Sequence, residues 1–398
     1  METILLASTA ALLAAVAWPI ASQWRAEPQA AVVVPDEPLM AAPTPVYAKA
    51  GRPTIQVALL LDTSDSMDGL IDQARTRLWS VVNSLDSVTF HGERPQLEVA
   101  LYEYGNDAVS PFAGYVRQVS GFTAELDQVS AALFELDTDG GSEHAPQAIV
   151  RALHELPWRQ GDGVLRVVYI AGNEEFQQGP VPWGEAADRA RASGVVVNTI
   201  FCGAEASGIS GGWRDAATRN GGRFFAIDAD TRRVDPPTPY DDDIAKLGVA
   251  INETYVGYGD KGREGLENQR AQDDNNAVSG SAVQRGLSKS KSYYRNPSWD
   301  LVDGVAEGAV DLDSVDRSSL PAALQSLDAE ALAAYVAARK AERSAIAAKT
   351  AELELQRNAF LREHAAANPD GAAVSLDEAM ISALGAQAEA AGFTLSKS

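Results

Sequence analysis

Hydrophobic and polar positions along the middle of the chain follow two alternating patterns. From residue 54 onward, short apolar runs are followed by segments in which apolar residues recur every three or four positions. The runs predict buried strands, and the recurring positions predict helices with one buried face. Strands are predicted at residues 55–61, 96–104, 115–119, 164–170, 195–202 and 222–227. Helices are predicted at residues 70–85, 126–136, 148–156, 184–193, 213–219 and 242–256.

This alternation predicts an α/β fold, with a doubly wound, mainly parallel six-stranded sheet covered by helices on both faces. The predicted domain spans residues 54–258. Beyond it the composition turns polar, and residues 259–297 are predicted to be a linker or a lone polar helix. Residues 298–398 are predicted to be an α-helical C-terminal region.

A long Ala-rich helix is the main prediction for this C-terminal region. It begins at Ser326 or Asp328, which are both suitable N-caps, and extends to about residue 364. Ile346, Leu353 and Phe360 are seven positions apart, which predicts a partial coiled-coil seam. Residues 368–371 break the pattern, and a capping box formed by Ser375 and Glu378 opens a last helix. The two helices are predicted to form a hairpin, either a solvated arm or a self-associating coiled coil.

The first part of the long helix is expected to need a partner surface of its own. Leu332, Tyr335 and Val336 lie beyond the reach of the last helix, so we expect them to pack on residues 298–324 or on another chain. A chain that ends near residue 258 is then expected to keep its fold.

The N-terminal region predicts export. Residues 4–21 are apolar, which is typical of a signal peptide or a short membrane anchor within residues 1–25. A buried helix of a cytoplasmic protein is a third interpretation. Residues 26–53 repeat Pro and predict an extended spacer. The expected location is the periplasm, with the protein either free after cleavage or anchored to the inner membrane.

Charge and cysteine content narrow the function classes. The chain of 398 residues has a net charge of -22, which disfavours nucleic-acid binding and favours divalent cations. Cys202 is the single cysteine, so an intrachain disulfide and a cysteine-rich zinc site are excluded. We expect Cys202 to be a buried strand thiol.

The candidate chemistry lies directly after the first predicted strand, in Asp62-Thr63-Ser64-Asp65-Ser66. The carboxyl end of a buried strand is where open α/β sheets place ligand sites. One carboxylate and two hydroxyls on a tight loop are hard oxygen ligands, which suit Mg²⁺, Mn²⁺ or Ca²⁺. The alternative is that Ser64 and Ser66 only cap the next helix while Asp62 accepts hydrogen bonds from loop amides.

Together, the strand order and this loop resemble the von Willebrand factor A (VWA) family and its metal-ion-dependent adhesion site (MIDAS). Residues 67–74 and 170–174 also resemble an exported bacterial subgroup of that family. The resemblance implies a Rossmann-like fold over residues 54–258 and metal ligands from three loops. In the first loop it implies Asp62, Ser64 and Ser66.

The other two loops depart from the family pattern. Glu143 occupies the position where the family has Thr, and Ser142 or Thr138 could substitute for it. Where the family has Asp in the third loop, this chain has Gly172, followed by Asn173 and Glu174. Asn173 could supply an amide oxygen or hold a metal-bound water. With Glu143 as a ligand, two carboxylates would leave little net positive charge on a divalent ion.

The expected function is that of a non-enzymatic interaction protein. A partner Asp or Glu would complete the coordination of the metal ion. The alternative is a metal-free structural scaffold that self-associates through its C-terminal helices. Catalysis has little support, because no Ser-His-Asp or paired-acid arrangement follows from the residue spacing.

Overall fold

A computed structural model describes residues 51–228, 236–367 and 375–395 of the protein, with only the backbone of 365–367. The predicted N-terminal segment and most of the Pro-rich spacer therefore lie outside the described residues. The strands are β1 (Thr54–Asp62), β2 (Val88–Thr89), β3 (Gln96–Tyr104), β4 (Val116–Thr123), β5 (Val164–Gly172), β6 (Val196–Cys202), β7 (Phe224–Ile227) and β8 (Thr394–Leu395).

Helices make up the rest of the regular structure. The first seven are α1 (Asp68–Ser84), α2 (Leu126–Phe134), α3 (Ala145–Glu155), α4 (Trp183–Ala192), α5 (Glu205–Ser210), α6 (Trp213–Arg219) and α7 (Asp241–Ala250). The later ones are α8 (Gly262–Ser279), α9 (Ala282–Lys289), α10 (Leu301–Ala306), α11 (Ala322–Gln325), α12 (Ala329–Ala367) and α13 (Leu376–Ala390).

The central sheet has the predicted six strands, in the order β4-β3-β1-β5-β6-β7. All its pairs are parallel except β3 with β4, which are antiparallel. β1 is buried along its whole length because helices cover both of its faces. Its alternate side chains enter two cores, Val57 and Leu59 on one face and Ala58 and Leu60 on the other. The predicted fold class is therefore confirmed.

The last helix differs from the prediction, because α13 packs on the sheet rather than back on α12. Its apolar face contacts α1, β5 and β6, and Leu376, Met380 and Leu384 belong to the same core as β1. The Tyr169 hydroxyl of β5 donates to the Met380 carbonyl at 2.9 Å. The predicted capping box of Ser375 and Glu378 is present. The predicted hairpin is wrong, because the apolar face of α13 is buried on the sheet and α1, which supplies the tertiary packing that a short helix needs.

The predicted polar linker is also replaced by packed helices. α8 and α9 cover residues 262–289 and contact α1 and α2. Arg285 of α9 is buried and ion-pairs with Asp127 of α2 and with Asp273 of α8. The polar composition suggested a linker because these helices are held by buried ion pairs and amides instead of an apolar stripe.

The long helix α12 packs along its length on elements of the same chain. Asp328 caps it by accepting from the N–H of Ala331 at 2.8 Å. Leu332 and Val336 pack with Leu301 and Leu320, which confirms the expected contact with residues 298–324. Leu353 of the predicted seam packs against Ile244 of α7 and Leu287 of α9. The seam therefore serves intrachain packing in this structure. Among the described residues, none of the helices combines the length and apolar character needed to span a membrane.

Candidate metal site

Three loops meet at the carboxyl edge of the sheet, where β1 lies between β3 and β5. The N–H of Thr63 donates to the carbonyl of Tyr104 at 2.9 Å, which ties the first loop to the end of β3. The N–H of Asp65 donates to the carbonyl of Gly140 at 3.0 Å, and that of Asp139 to the carbonyl of Thr63 at 3.0 Å. These bonds hold the loop between α2 and α3 against the first loop. Asp62, Ser64 and Glu143 are thereby brought together.

Asp62 is the central residue of this edge and is fully buried. Its Oδ1 atom accepts from the N–H of Ser64 at 2.9 Å. Its Oδ2 atom is buried and has no hydrogen-bond partner among the described residues, and the same holds for the Ser64 hydroxyl. A buried polar atom left without a partner costs about 1–3 kcal/mol. A water or a cation bound beside these two neighbouring oxygens would satisfy them.

Glu143 brings a second carboxylate next to the first. Its side chain is buried, and that burial raises its pKa to about 9, with smaller contributions from the adjoining carboxyl of Asp62 and its negative charge. Burial also raises the pKa of Asp62. Two adjacent buried carboxyls disfavour simultaneous ionisation unless a positive charge lies between them. A divalent cation provides that charge, so the pair fits a metal ion.

Ser66 and Asn173 lie at the outer side of the site. Ser66 is exposed, and its hydroxyl accepts from the side-chain amide of Asn173 at 2.7 Å. The Asn173 Oδ1 atom is buried without a hydrogen-bond partner in the described part of the chain. In the third loop, this amide oxygen is the atom with the character of a hard ligand.

The departure at Gly172 has a steric cause. A Cβ atom at this position would overlap the hydroxyl oxygen of Tyr104 and lie 3.0 Å from both Asp62 Oδ2 and the Trp213 ring. The Tyr104 hydroxyl donates to the Ala171 carbonyl at 2.8 Å. Tyr104 and Trp213 thus fill the space that an Asp side chain would need. The family pattern alone did not indicate this, because it depends on the size of two residues from other elements, β3 and α6.

Gly105 is a second residue that the sequence reasoning missed. Its φ of +85° favours glycine, and a Cβ there would lie 2.7 Å from Asp62 Oδ1 and 3.0 Å from Glu143 Cγ. The close approach of this backbone leaves room for both carboxylates. A glycine directly after the end of β3 was the available sequence signal.

Other residues near the site, including the sequence candidates Thr138 and Ser142, have different partners. Thr138 donates to Asp68 Oδ1 at 2.5 Å, and Ser142 pairs with Gly105 through a single β-bridge. His144 packs edge-on against Tyr115 with ring centroids 5.5 Å apart. Trp213 and Phe176 are buried against each other behind the site. Cys202 is half-buried at the end of β6.

The candidate ligands Asp62, Ser64, Ser66, Glu143 and Asn173 offer oxygen atoms only. Within the described residues, no group of three or more His, Cys, Asp or Glu side chains could hold a metal ion. A metal ion at this site would therefore depend on hydroxyl and amide oxygens as well as on the two carboxylates.

The sheet order and the Asp-x-Ser-x-Ser loop at the end of β1 define the class of protein: an α/β domain with the VWA fold. No protein-family model matches the sequence, and a comparison with curated proteins finds no match. Solved structures of VWA proteins match over less than half of the chain. The conserved hypothetical protein BatB from Bacteroides thetaiotaomicron is 15% identical, with 44% of this chain and 90% of that chain covered and a TM-score of 0.34.

Two further matches have similarly low scores. Proximal thread matrix protein 1 from the mussel byssus, in a structure with a zinc-occupied MIDAS motif, is 14% identical, with 45% of this chain and 43% of that chain covered and a TM-score of 0.34. The SpRpn10 VWA domain is 15% identical, with 47% and 90% covered and a TM-score of 0.32. This chain thus spans less than half the length of the mussel protein.

Proposed function

We propose that this protein is an interaction protein that binds a divalent cation, preferably Mg²⁺, at the carboxyl edge of its sheet. Asp62, Ser64, Ser66, Glu143 and Asn173 would hold the ion. The observation that carries the proposal is the pair of buried oxygens of Asp62 and Ser64 that find no hydrogen-bond partner in the described parts of the chain. When bound, the ion would supply an open coordination position for a carboxylate oxygen of a partner protein.

Binding is favoured over catalysis by the surroundings of the two hydroxyls. No hydrogen bond joins His144 to Ser64 or Ser66 in the described parts of the chain, so a histidine base for either hydroxyl is missing there. The buried carboxyls of Asp62 and Glu143 support the cation instead, because an ion placed beside them would offset their negative charges. We also propose that the protein is exported to the periplasm, because its N-terminal sequence is first apolar and then Pro-rich.

Thermal melting in Mg²⁺ and in EDTA tests the proposal. At a hundred times its Kd, the ion should stabilise the protein by about 2.7 kcal/mol. Asp62→Ala should abolish this gain, whereas Asp65→Ala, which changes an exposed neighbour, should keep it. Glu143→Ala should weaken metal binding much more than Ser142→Ala. An unchanged melting temperature of the wild-type protein in both conditions would favour the metal-free scaffold.

A further inference from the structure

The loops around the candidate site carry acidic side chains and no basic ones. Lys and Arg are absent from residues 63–67, 105–115, 135–144, 173–182 and 203–212. The exposed carboxylates of these loops and of Asp68 at the start of α1, which we call the acidic rim, are those of Asp65, Asp68, Asp107, Glu135, Asp137, Asp139, Glu174, Glu175 and Glu205. Beyond the loops, an exposed Arg214 lies in the first turn of α6 beside an exposed Asp215. Arg117, the first basic residue beyond the loop 105–115, ion-pairs with Glu103. The rim therefore gives this edge a negative potential.

A metal ion at the centre does not reverse this potential. The two carboxylates of Asp62 and Glu143 already offset a divalent charge. A partner carboxylate that approached alone would meet like charges on all five loops, which slows association and weakens binding. The carboxylate that reaches the ion must therefore lie within a surface that brings its own positive charge.

Phe112 adds an apolar feature to the same edge. The largest exposed hydrophobic side chains of the described residues are Phe112 at 101%, Val278 at 91%, Leu355 at 67% and Val249 at 62%. Phe112 is the aromatic one among them, and it lies in the loop 105–115 of the acidic rim. Aromatic side chains are the most frequent anchors of protein interfaces.

The turn that carries Phe112 is held by several hydrogen bonds. The N–H of Phe112 donates to the Ser110 hydroxyl at 3.3 Å, and the N–H of Ala113 to the Ser110 carbonyl at 2.9 Å. The Arg151 guanidinium donates to the carbonyls of Ala113 and Val116. Pro111 restricts the backbone further. An anchor on such a turn loses little conformational entropy on binding.

Contacts between the loops place Phe112 close to the metal site. The N–H of Gly105, whose backbone contacts Asp62, donates to the carbonyl of Tyr115 at 3.1 Å. Phe112 is three residues before Tyr115, a separation of at most about 11 Å between their Cα atoms. A partner surface that covers the metal site is therefore within reach of the loop that carries Phe112.

We propose that the partner is a protein with a Lys- and Arg-rich surface that seats Phe112 in an apolar pocket beside the carboxylate that reaches the metal ion. This inference rests on the proposed function and specifies the partner of the same site. The acidic rim would attract the basic surface of the partner to the carboxyl edge of the sheet, and Phe112 would fix the position of the partner on that edge.

Selection of a displayed library of random peptides on the full-length protein in Mg²⁺ tests the proposal. Selected peptides should be enriched in Lys and Arg, contain Asp or Glu, and bind less tightly as salt is raised. Phe112→Ser should weaken their binding about tenfold or more. Val278→Ser, a change at a similarly exposed apolar residue outside these loops, should leave it unchanged.

Charge variants separate the rim from the overall charge of the protein. Asp107→Asn combined with Glu175→Gln should weaken binding and flatten its salt dependence, whereas Glu363→Gln combined with Glu389→Gln should do neither. A selection that returns no peptides, peptides without an excess of Lys and Arg, or peptides indifferent to Phe112→Ser overturns the proposal. Failure of the proposed function itself has a different signature, since the peptides would then bind equally well in EDTA and to the Asp62→Ala variant.

Discussion

The contact between Asn198 of β6 and Gln387 of α13 gives the sharpest test of the observed packing of the last helix. Asn198 is fully buried. Its Nδ2 donates to Gln387 Oε1 at 3.1 Å, and its Oδ1 accepts from Gln387 Nε2 at 2.6 Å. That oxygen also accepts from the N–H of Arg223 at 2.9 Å. Gln387→Ala therefore leaves the Asn198 Nδ2 donor without its partner while Oδ1 keeps one.

These hydrogen bonds determine how much free energy of unfolding Gln387→Ala should cost. An unsatisfied buried donor costs about 1–3 kcal/mol, and the gain in helix propensity from Gln to Ala is only a few tenths of a kcal/mol. Gln387→Ala should thus lower the free energy of unfolding, measured by urea denaturation, by about 1–3 kcal/mol. Glu389→Ala, two residues further along α13 and exposed, should change it by less than about 0.5 kcal/mol.

A double-mutant cycle makes the test specific for the pair. Asn198→Ala combined with Gln387→Ala should show a coupling energy of about 1–3 kcal/mol. A coupling near zero, or a Gln387→Ala variant as stable as the wild type, would refute the packing of α13 on the sheet.

Three further predictions concern other parts of the structure. A chain that ends after residue 367 should fail to fold cooperatively, and so should one that ends near residue 258, because both lack Leu376, Met380 and Leu384 of the main core; this corrects the expectation from the sequence, and a normal urea transition would contradict it. Gly172→Ala should destabilise the protein by about 1–3 kcal/mol through its clash with Tyr104, and Tyr104→Phe should recover part of the loss; no recovery would argue against the clash. Burial raises the pKa of Asp303 to about 6, above its ordinary value of 3.8. The folded state therefore binds this proton more tightly, and the resulting stabilisation is complete below about pH 4 and is lost as the pH rises through about 6. Relative to Asp303→Asn, the free energy of unfolding of the wild type should fall by up to about 3 kcal/mol between pH 4 and pH 7, and a constant difference would contradict the shift.

The sheet could be predicted from the sequence because its strands are marked by local patterns. Residues 55–61 of β1 are apolar except for Gln56, and such a run has few alternatives to a central strand. The capping box of Ser375 and Glu378 likewise gave the start of α13. The packing partner of α13 could not be predicted, because it depends on the apolar sheet face left uncovered between distant strands.

The same distinction applies to the candidate site. Asp62, Ser64 and Ser66 lie within five consecutive residues, so a sequence motif identifies them. The reason for Gly172 lies in Tyr104 and Trp213, which come from β3 and α6. The rigid turn under Phe112 depends on Arg151 of α3. The two helices α8 and α9 were missed because their buried face is formed by Gln269, Asn276 and Arg285, which are polar residues that pattern analysis assigns to solvent.

Calorimetric titration of Mn²⁺ or Mg²⁺ into the full-length protein and into its Asp62→Ala variant shows whether a cation binds at the carboxyl edge of the sheet. We expect one ion per chain for the wild type and no measurable binding for the variant, because Asp62 Oδ2 is the buried oxygen at the centre of the three loops. Equal binding by both proteins, or none by the wild type, would show that this edge is not a metal site.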